Sequence, residues 1–329
     1  MKLLSLLLAL LLSSMALADT QKGISAYKKR NYSAALTEFR ESANLGEPTA
    51  IYFLGIMYAN GRGVEKDLRK GARMVATSAK RGSPYGQFFM GYYFLKKEGN
   101  TTRALYWIGK SAKQSFAPAQ SVLGWMYNSG IGVKQNFPEA YKWYDKAAKQ
   151  GDISAQYNIG QLYRKGQGVE KSAATALMWY KRAAAKGNAR AQLRVAYMFD
   201  TGEGVPKDRS EAAVWYEKAA KQGNPNAQSN LGHMYLKGEG VEKDEKVALI
   251  WIRNAAQQKY AKAQYLLGMI YSSGLGVEKD LITAYAWFDV AIKNGFTHAS
   301  TKRDDIVNKF NEQDKKQAQD LANEYRRLY

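Results

Sequence analysis

The feature that most constrains this chain is an internal repeat with a period of 36 residues. The tetrapeptide Gly-Trp-Met-Tyr at 124–127 recurs in related form at 160–163, 196–199, 232–235 and 268–271, and two further copies begin at Gly55 and Gly91. Six of the seven tryptophans keep one phase: Trp107, Trp143, Trp179, Trp215, Trp251 and Trp287. Seven units result, at 47–82, 83–115, 116–151, 152–187, 188–223, 224–259 and 260–295. Repetition at this scale indicates stacked supersecondary units, each of which buries its apolar face against the next.

The pattern inside each unit predicts two helices. In the fourth unit, the first helix carries Ala155, Ile159 and Leu162, and the second carries Ala176 and Tyr180, at the spacing of an apolar stripe. Six units have Gly-x-Gly-Val between the helices, where glycine supplies the positive φ that ends the first helix. A residue type that caps helix N-termini follows three positions after each valine: Asp67, Asn136, Ser172, Asp208, Asp244 or Asp280. Glu139 and Glu211 add the pattern of a capping box.

These motifs carry a family resemblance. The set Ala-Gln-x-x-Leu-Gly-x-Met-Tyr, Gly-x-Gly-Val-x-Lys-Asp and Ala-x-x-Trp-Tyr-x-x-Ala-Ala resembles the Sel1-like repeat, a relative of the tetratricopeptide repeat, over residues 47–295. The resemblance implies an all-α fold, a right-handed superhelical solenoid of helix-turn-helix repeats. The second unit departs from the pattern, since it lacks Gly-x-Gly-Val and is three residues shorter between Phe94 and Ala104.

The segments outside the repeats have their own predictions. Residues 19–46 resemble one tetratricopeptide unit with a tight turn at Arg30 and Asn31, and residues 296–329 are predicted to form capping helices over the last repeat. Residues 1–18 have the charged start, apolar run and Ala-x-Ala end of a secretory signal, with cleavage expected after Ala18. The alternative is an uncleaved N-terminal anchor. No later apolar run has the length of a membrane span, so we expect a soluble periplasmic or secreted protein.

Net charge and cysteine content limit the classes of partner that we expect. Removal of Lys2 with the signal would leave 48 basic and 29 acidic residues, a net charge of +19. Such an excess attracts acidic partners. For an exported chain we expect proteins with acidic segments or envelope glycans, and no nucleic acid. The chain has no cysteine, which excludes disulfides and a lipid-modified N-terminal cysteine.

The sequence offers little for catalysis, and we expect no enzyme, no cofactor and no metal. His233 and His298 are the only histidines, and there is no cysteine to join them in zinc binding or nucleophilic catalysis. Ser25 and Lys28 match Ser-x-x-Lys of penicillin-interactive enzymes, but the Ser-Asp-Asn and Lys-Thr-Gly partners are missing. The recurring tryptophans and the glutamines of the Ala-Gln motif are predicted to be scaffold, through inter-repeat packing and hydrogen bonding respectively.

Function is expected where the units differ. Variable positions on one face of the first helices form what we call the first-helix strip, which by resemblance to tetratricopeptide arrays would line a concave groove. Its predicted partner-binding residues are Tyr52, Phe88, Trp125, Tyr157, Gln161, Arg164, Arg190, Tyr197, His233 and Tyr265. Aromatic side chains edged by arginine suit an extended acidic peptide or a glycan. The alternative is that several of these aromatics only pack against neighbouring first helices.

The leading functional interpretation is an exported scaffold or adaptor of the bacterial envelope that binds other proteins. A module that binds peptidoglycan or exopolysaccharide is the alternative from another class. A hydrolase with β-lactamase-like activity, known among cysteine-rich proteins of similar repeats, comes third, and the missing cysteines weaken that analogy.

Overall fold

The structure is a computed structural model that describes the backbone of residues 2–329 and the side chains of residues 14–329. Over this range the chain forms 18 α-helices and no strands. They are α1 (Lys2–Lys28), α2 (Tyr32–Asn44), α3 (Pro48–Asn60), α4 (Leu68–Lys80), α5 (Pro84–Lys96), α6 (Thr101–Lys113), α7 (Ala117–Ser129), α8 (Phe137–Lys149), α9 (Ile153–Lys165), α10 (Ala173–Ala185), α11 (Ala189–Thr201), α12 (Arg209–Lys221), α13 (Pro225–Lys237), α14 (Glu245–Gln257), α15 (Ala261–Ser273), α16 (Leu281–Lys293), α17 (Ala299–Val307) and α18 (Glu312–Leu328).

The helices group into two compact units. The N-terminal unit comprises residues 1–162 with 166–170, and the C-terminal unit comprises residues 163–165 with 171–329. From α3 to α16, the odd-numbered helices are the first helices of the repeats and the even-numbered ones are the second helices. Each repeat is therefore a helix-turn-helix hairpin, as the spacing of the motifs predicted.

Local chemistry explains where the helices begin and end. Asp208 accepts a hydrogen bond from the Glu211 backbone N–H at 2.9 Å, and the other predicted caps of the second helices make equivalent contacts. The prediction of capping boxes at Glu139 and Glu211 is wrong. The Glu211 carboxylate accepts a hydrogen bond from Trp215 Nε1 at 2.7 Å, and Glu139 pairs with Lys142 at 3.4 Å. The glutamates turn outward because other side chains of their own helices compete for them.

The two glycines of the turn have different roles. Gly202 ends α11 in the left-handed region, with φ of 81°, which glycine adopts without steric cost. Gly240 also has positive φ, but in addition a Cβ there would lie 2.3 Å from the Arg209 carbonyl oxygen at the start of α12. The second glycine therefore lets each turn approach the second helix of the preceding repeat.

Each second helix contributes small residues and one large side chain to the core, opposite leucine, isoleucine and methionine side chains of the first helices. Tyr144 is 1% exposed, and its ring lies so close to α7 that a Cβ on Gly124 would be 2.7 Å from it. The equivalent positions hold other fully buried side chains: Ile108, Tyr180, Tyr216, Ile252 and Phe288. The glutamine column forms the predicted hydrogen bonds; Gln228, for example, donates to the Ala220 carbonyl at 3.1 Å and accepts from Gln258 at 2.8 Å.

The tryptophans do not occupy the core position. Trp107, Trp143, Trp179, Trp215 and Trp251 are only half-buried, and Trp287 alone is buried, at 5% exposure. Lys146 Nζ lies 4.4 Å from the ring centre of Trp143, and Lys218 Nζ lies 4.1 Å from that of Trp215. The predicted packing of the tryptophans is therefore partial for these five. Trp107 and Trp143, for example, pack against the edge of a core cluster, and the residue after each tryptophan takes the fully buried place.

The chain ends are helical. Helix α1 continues through residues 18 and 19 without a break, and the side chains of residues 1–13, most of the predicted signal, lie outside those described. Among the described residues, no helix combines the length and apolar character that crossing a membrane requires. At the other end, the buried carboxylate of Asp289 on α16 pairs with Arg303 of α17 and Arg326 of α18, and so holds both final helices.

Candidate binding surface

The N-terminal unit contains five of the predicted strip residues, all on first helices and all half-buried: Tyr52, Phe88, Trp125, Tyr157 and Gln161. Further aromatic side chains of α5 extend this surface, with 41% exposure for Phe89, 47% for Tyr92 and 43% for Tyr93. This part of the strip is therefore strongly aromatic, and much of its apolar area is accessible.

Some of these rings pack against neighbouring first helices, as the alternative interpretation expected. Tyr52 on α3 lies 5.7 Å from Tyr85 and 6.3 Å from Phe89, both on α5. Burial, with smaller contributions from Tyr27 and Tyr85, raises the pKa of Tyr52 to about 12. The Tyr52 phenol is therefore held in a low-dielectric environment between first helices.

A groove of about 320 Å³ lies across α5, α7 and the start of α9. It brings together two predicted strip residues, Phe88 and Trp125, with Ser121, which has the position of Phe88 in the next repeat. The remaining wall is formed by Pro118, Val122, Asp152, Ser154 and Asn158. Asp152 and Asn158 were not among the predicted strip residues. Asp152 is the N-cap of α9 and accepts a hydrogen bond from the Ala155 backbone N–H at 2.7 Å, and this cap position just before the variable residues was its signal in the sequence. An apolar floor with a few polar groups at its edge suits recognition of a polypeptide side chain.

Tyr157 and Gln161 are not part of this groove. Gln161 Nε2 donates to the Tyr157 hydroxyl at 2.6 Å along α9, whereas Gln161 Oε1 is buried without a hydrogen-bond partner among the described residues. They remain predicted contact residues, beside the groove and not inside it.

The strip residues of the C-terminal unit are more polar. Arg190 and Tyr197 are exposed, and Arg164 and His233 are half-buried. Burial and the nearby Lys262 lower the pKa of His233, which favours its neutral form. Tyr265 instead packs inward, 5.6 Å from Phe288 and 4.8 Å from Phe296. Each unit thus presents its own set of strip residues, aromatic in the first and polar in the second.

One acidic cluster among the described residues could converge on a cation: Asp19, Glu38 and Glu41. Lys22 already pairs with Asp19 at 2.8 Å, so an ammonium group occupies part of this cluster. Neither histidine belongs to it.

Comparison with known proteins assigns the repeats. A family model described as the Sel1 repeat matches seven successive segments: 48–83, 84–116, 117–152, 153–188, 189–224, 225–260 and 261–296. The chain belongs to the Sel1 repeat family. The match includes the shortened second repeat and agrees with the predicted units to within one residue. Sel1 repeat proteins generally serve as scaffolds for protein–protein interaction and not as enzymes.

Two solved structures have folds similar to that of this chain. The chain is 31% identical to a Sel1 repeat protein from Oxalobacter formigenes, with a TM-score of 0.64 over 88% of this chain and 87% of that one. It is 27% identical to a protective antigen of uropathogenic Escherichia coli strains that has the same repeat fold, with a TM-score of 0.52 over 95% and 92% of the two chains. No curated protein sequence matches it. The chain is therefore an all-α Sel1 repeat solenoid.

Proposed function

We propose that this Sel1 repeat protein is an exported adaptor of the bacterial envelope that binds a partner protein along the first-helix strip. The groove between α5, α7 and α9 is the centre of the proposed site. Phe88 and Trp125 supply the apolar contact, and Asp152 and Asn158 supply polar groups at the edge. Large aromatic side chains in such grooves provide most of the binding free energy in protein interfaces.

The observation that carries this proposal is the convergence of variable residues on one groove. Phe88 and Ser121 occupy the same surface position in successive repeats, and Trp125 occupies the position that Tyr92 has in the repeat before it. These residues differ in chemistry, which is what a specific contact surface requires of a repeated scaffold. The glutamine and glycine columns, by contrast, recur because every repeat needs them to pack.

Export and an acidic partner are parts of the same proposal. The pattern at residues 1–18 supports export, and the antigenic nature of the similar Escherichia coli protein is consistent with it. The net charge of +20 supports a partner with acidic segments. A wall glycan remains the alternative ligand, because exposed aromatic rings also stack on sugars.

Replacing Trp125 tests the proposal. Trp125→Ala should weaken capture of the partner from envelope extracts by about 1–2 kcal/mol, because the variant removes the largest apolar contact of the groove. The measurement compares bound proteins by quantitative mass spectrometry for the parent chain, Trp125→Ala and the control Trp251→Ala, a half-buried tryptophan of a second helix. The thermal melt of each variant serves to exclude unfolding.

Two outcomes would contradict it. Equal losses for Trp125→Ala and Trp251→Ala would show that the groove is not the contact surface. Retention of purified peptidoglycan or exopolysaccharide by the parent chain, lost in Trp125→Ala while protein capture persists, would favour the glycan alternative.

A further inference from the structure

The positive charge of this chain is concentrated in one part of the N-terminal unit. Residues 68–138 contain 11 lysine and arginine residues and a single acidic residue, Glu98, and so carry +10 of the net charge of +20. No other stretch of similar length lacks acidic residues to this degree. The excess of basic residues is therefore localised to one part of the fold and is not spread evenly over the surface.

The second helices carry most of these charges. Arg69, Arg73 and Lys80 of α4 and Arg103, Lys110 and Lys113 of α6 are all exposed, and none of the six forms a salt bridge within the described part of the chain. We call this set the basic face. Lysines near a helix C-terminus also complement the helix dipole, but that role does not require arginines in the first turns.

A groove continues the basic face between α6 and α8. It has a volume of about 500 Å³ and is lined by Lys113, Trp143, Lys146, Lys149 and Gln150, among others. Two of its lining side chains are joined, since Gln150 Nε2 donates to Gln120 Oε1 at 2.8 Å. Three of its lining residues carry ammonium groups.

The lysines of this groove differ in what they already contact. Lys149 pairs with Asp145 at 2.7 Å, which neutralises much of its charge. Lys146 lies over the Trp143 ring, which restrains its ammonium group without neutralising it. Lys113 and Lys146 are therefore the cations that a ligand in the groove would meet.

This pair of lysines does not recur in the C-terminal unit. In the next two repeat pairs of that unit, Lys113 corresponds to Ala185 and then to Lys221. Lys146 corresponds to Lys218 and then to Asn254. Lys221 is in addition paired with Glu217 at 2.8 Å. The groove of the N-terminal unit is thus chemically distinct, although the fold of the repeats is the same.

We propose that the basic face and the groove between α6 and α8 bind an acidic polypeptide segment, with carboxylates at Lys113 and Lys146. This inference rests on the proposed scaffold function and adds the chemistry of the partner. In an extended peptide, side chains on one side are spaced about 7 Å apart, so single carboxylates can enter the groove and the next residues can follow the basic face.

The experiment uses the full chain and a defined probe. A dodecapeptide of alternating glutamate and serine, carrying a neutral fluorophore, is titrated by fluorescence anisotropy, and the glutamine–serine peptide is the uncharged control. The variants are Lys113→Gln/Lys146→Gln and the matched Lys218→Gln/Lys221→Gln, which removes two charges from the C-terminal unit.

The acidic peptide should bind at 10 mM salt, and Lys113→Gln/Lys146→Gln should raise its Kd about fivefold or more, against less than about twofold for the matched control. Binding should weaken at 150 mM salt, where the screening length falls from about 30 Å to about 8 Å.

Equal effects of the two double variants would overturn the site, because only the total charge would then matter. Absence of peptide binding, with lysine-dependent binding of anionic vesicles or acidic polysaccharide, would overturn the assigned partner. The first-helix strip is tested separately, by partner capture with Trp125→Ala, so failure of this site and failure of the strip are distinguishable.

Discussion

At the scale of single residues, neighbouring positions on one helix have opposite roles. Tyr144 faces α7 and fills the space that Gly124 leaves, whereas Trp143, one residue earlier, lies at the edge of the core under Lys146. Tryptophan is the more conspicuous residue in the sequence because of its size. Its position on the helix, rotated by about 100° from the core-facing residue, decides its burial.

Truncating these two neighbours should therefore have unequal effects on stability. Tyr144→Ala leaves a cavity in the core and should lower the free energy of unfolding by about 3–5 kcal/mol. Trp143→Ala removes a half-buried ring and one cation–π contact, and should cost about 2 kcal/mol. Urea unfolding followed by circular dichroism measures both. An equal or larger shift for Trp143→Ala would mean that the tryptophan is the core residue.

The pKa of Tyr52 predicts a loss of stability in alkali. Because burial raises this pKa to about 12 from the ordinary value of 10.0, the unfolded chain ionises first as the pH rises. The free energy of unfolding is therefore unaffected by this group below pH 10 and falls as the pH rises towards 12. At pH 11 the loss amounts to about 1.4 kcal/mol. Tyr52→Phe should thus gain about that much relative to the parent chain between pH 9 and pH 11. Urea unfolding at both pH values checks this, and a constant difference would contradict it.

At the scale of helices and turns, the close approach of consecutive repeats depends on the second glycine of Gly-x-Gly. Gly240 and Gly223 both have positive φ, of 73° and 83°. They differ in their surroundings, since a Cβ on Gly240 would lie 2.3 Å from the Arg209 backbone, whereas a Cβ on Gly223 would meet nothing within 4 Å.

The two glycines form a matched pair for mutation. Gly223→Ala should cost about 1 kcal/mol through the unfavourable φ alone. Gly240→Ala should cost at least about 2 kcal/mol more, because the turn must move away from the start of α12. Thermal melts of the two variants give the comparison. If both lose the same stability, the close approach of the turn contributes nothing.

The same scale shows which features the sequence could predict. Helix ends, N-caps and the glutamine hydrogen bonds depend on residues within one or two repeats, so Asp208 and Gln228 were assigned correctly from spacing alone. The contacts of Tyr265 with Phe296 and the burial of Asp289 depend on helices that follow the last repeat. Their positions do not follow from the repeat pattern. The grooves beside Trp125 and Trp143 needed the packing of three helices, although the local excess of basic residues was already visible in the sequence.

At the scale of the whole molecule, the repeats act on their neighbours. In the C-terminal unit, the main contacts of α12 are with α11 and α13, and the chain of contacts then passes from helix to helix up to α16, which also meets α17 and α18. No single core joins distant repeats of this unit. A local defect should therefore open the adjacent helices first.

Tyr216→Ala tests this with a readout at each helix. The side chain is fully buried on α12, so its loss should speed amide hydrogen exchange by about tenfold or more in α11, α12 and α13, because a cavity of this size costs about 3–5 kcal/mol locally. Exchange in α16, α17 and α18 should change by less than about threefold, since these helices are secured separately by Asp289 and Trp287. Hydrogen–deuterium exchange with mass spectrometry resolves these segments, and Trp215→Ala, a half-buried neighbour, is the control for a smaller local effect. Uniform acceleration from α11 to α18 would show that the unit unfolds as one cooperative body, and the neighbour-by-neighbour description of its stability would then fail.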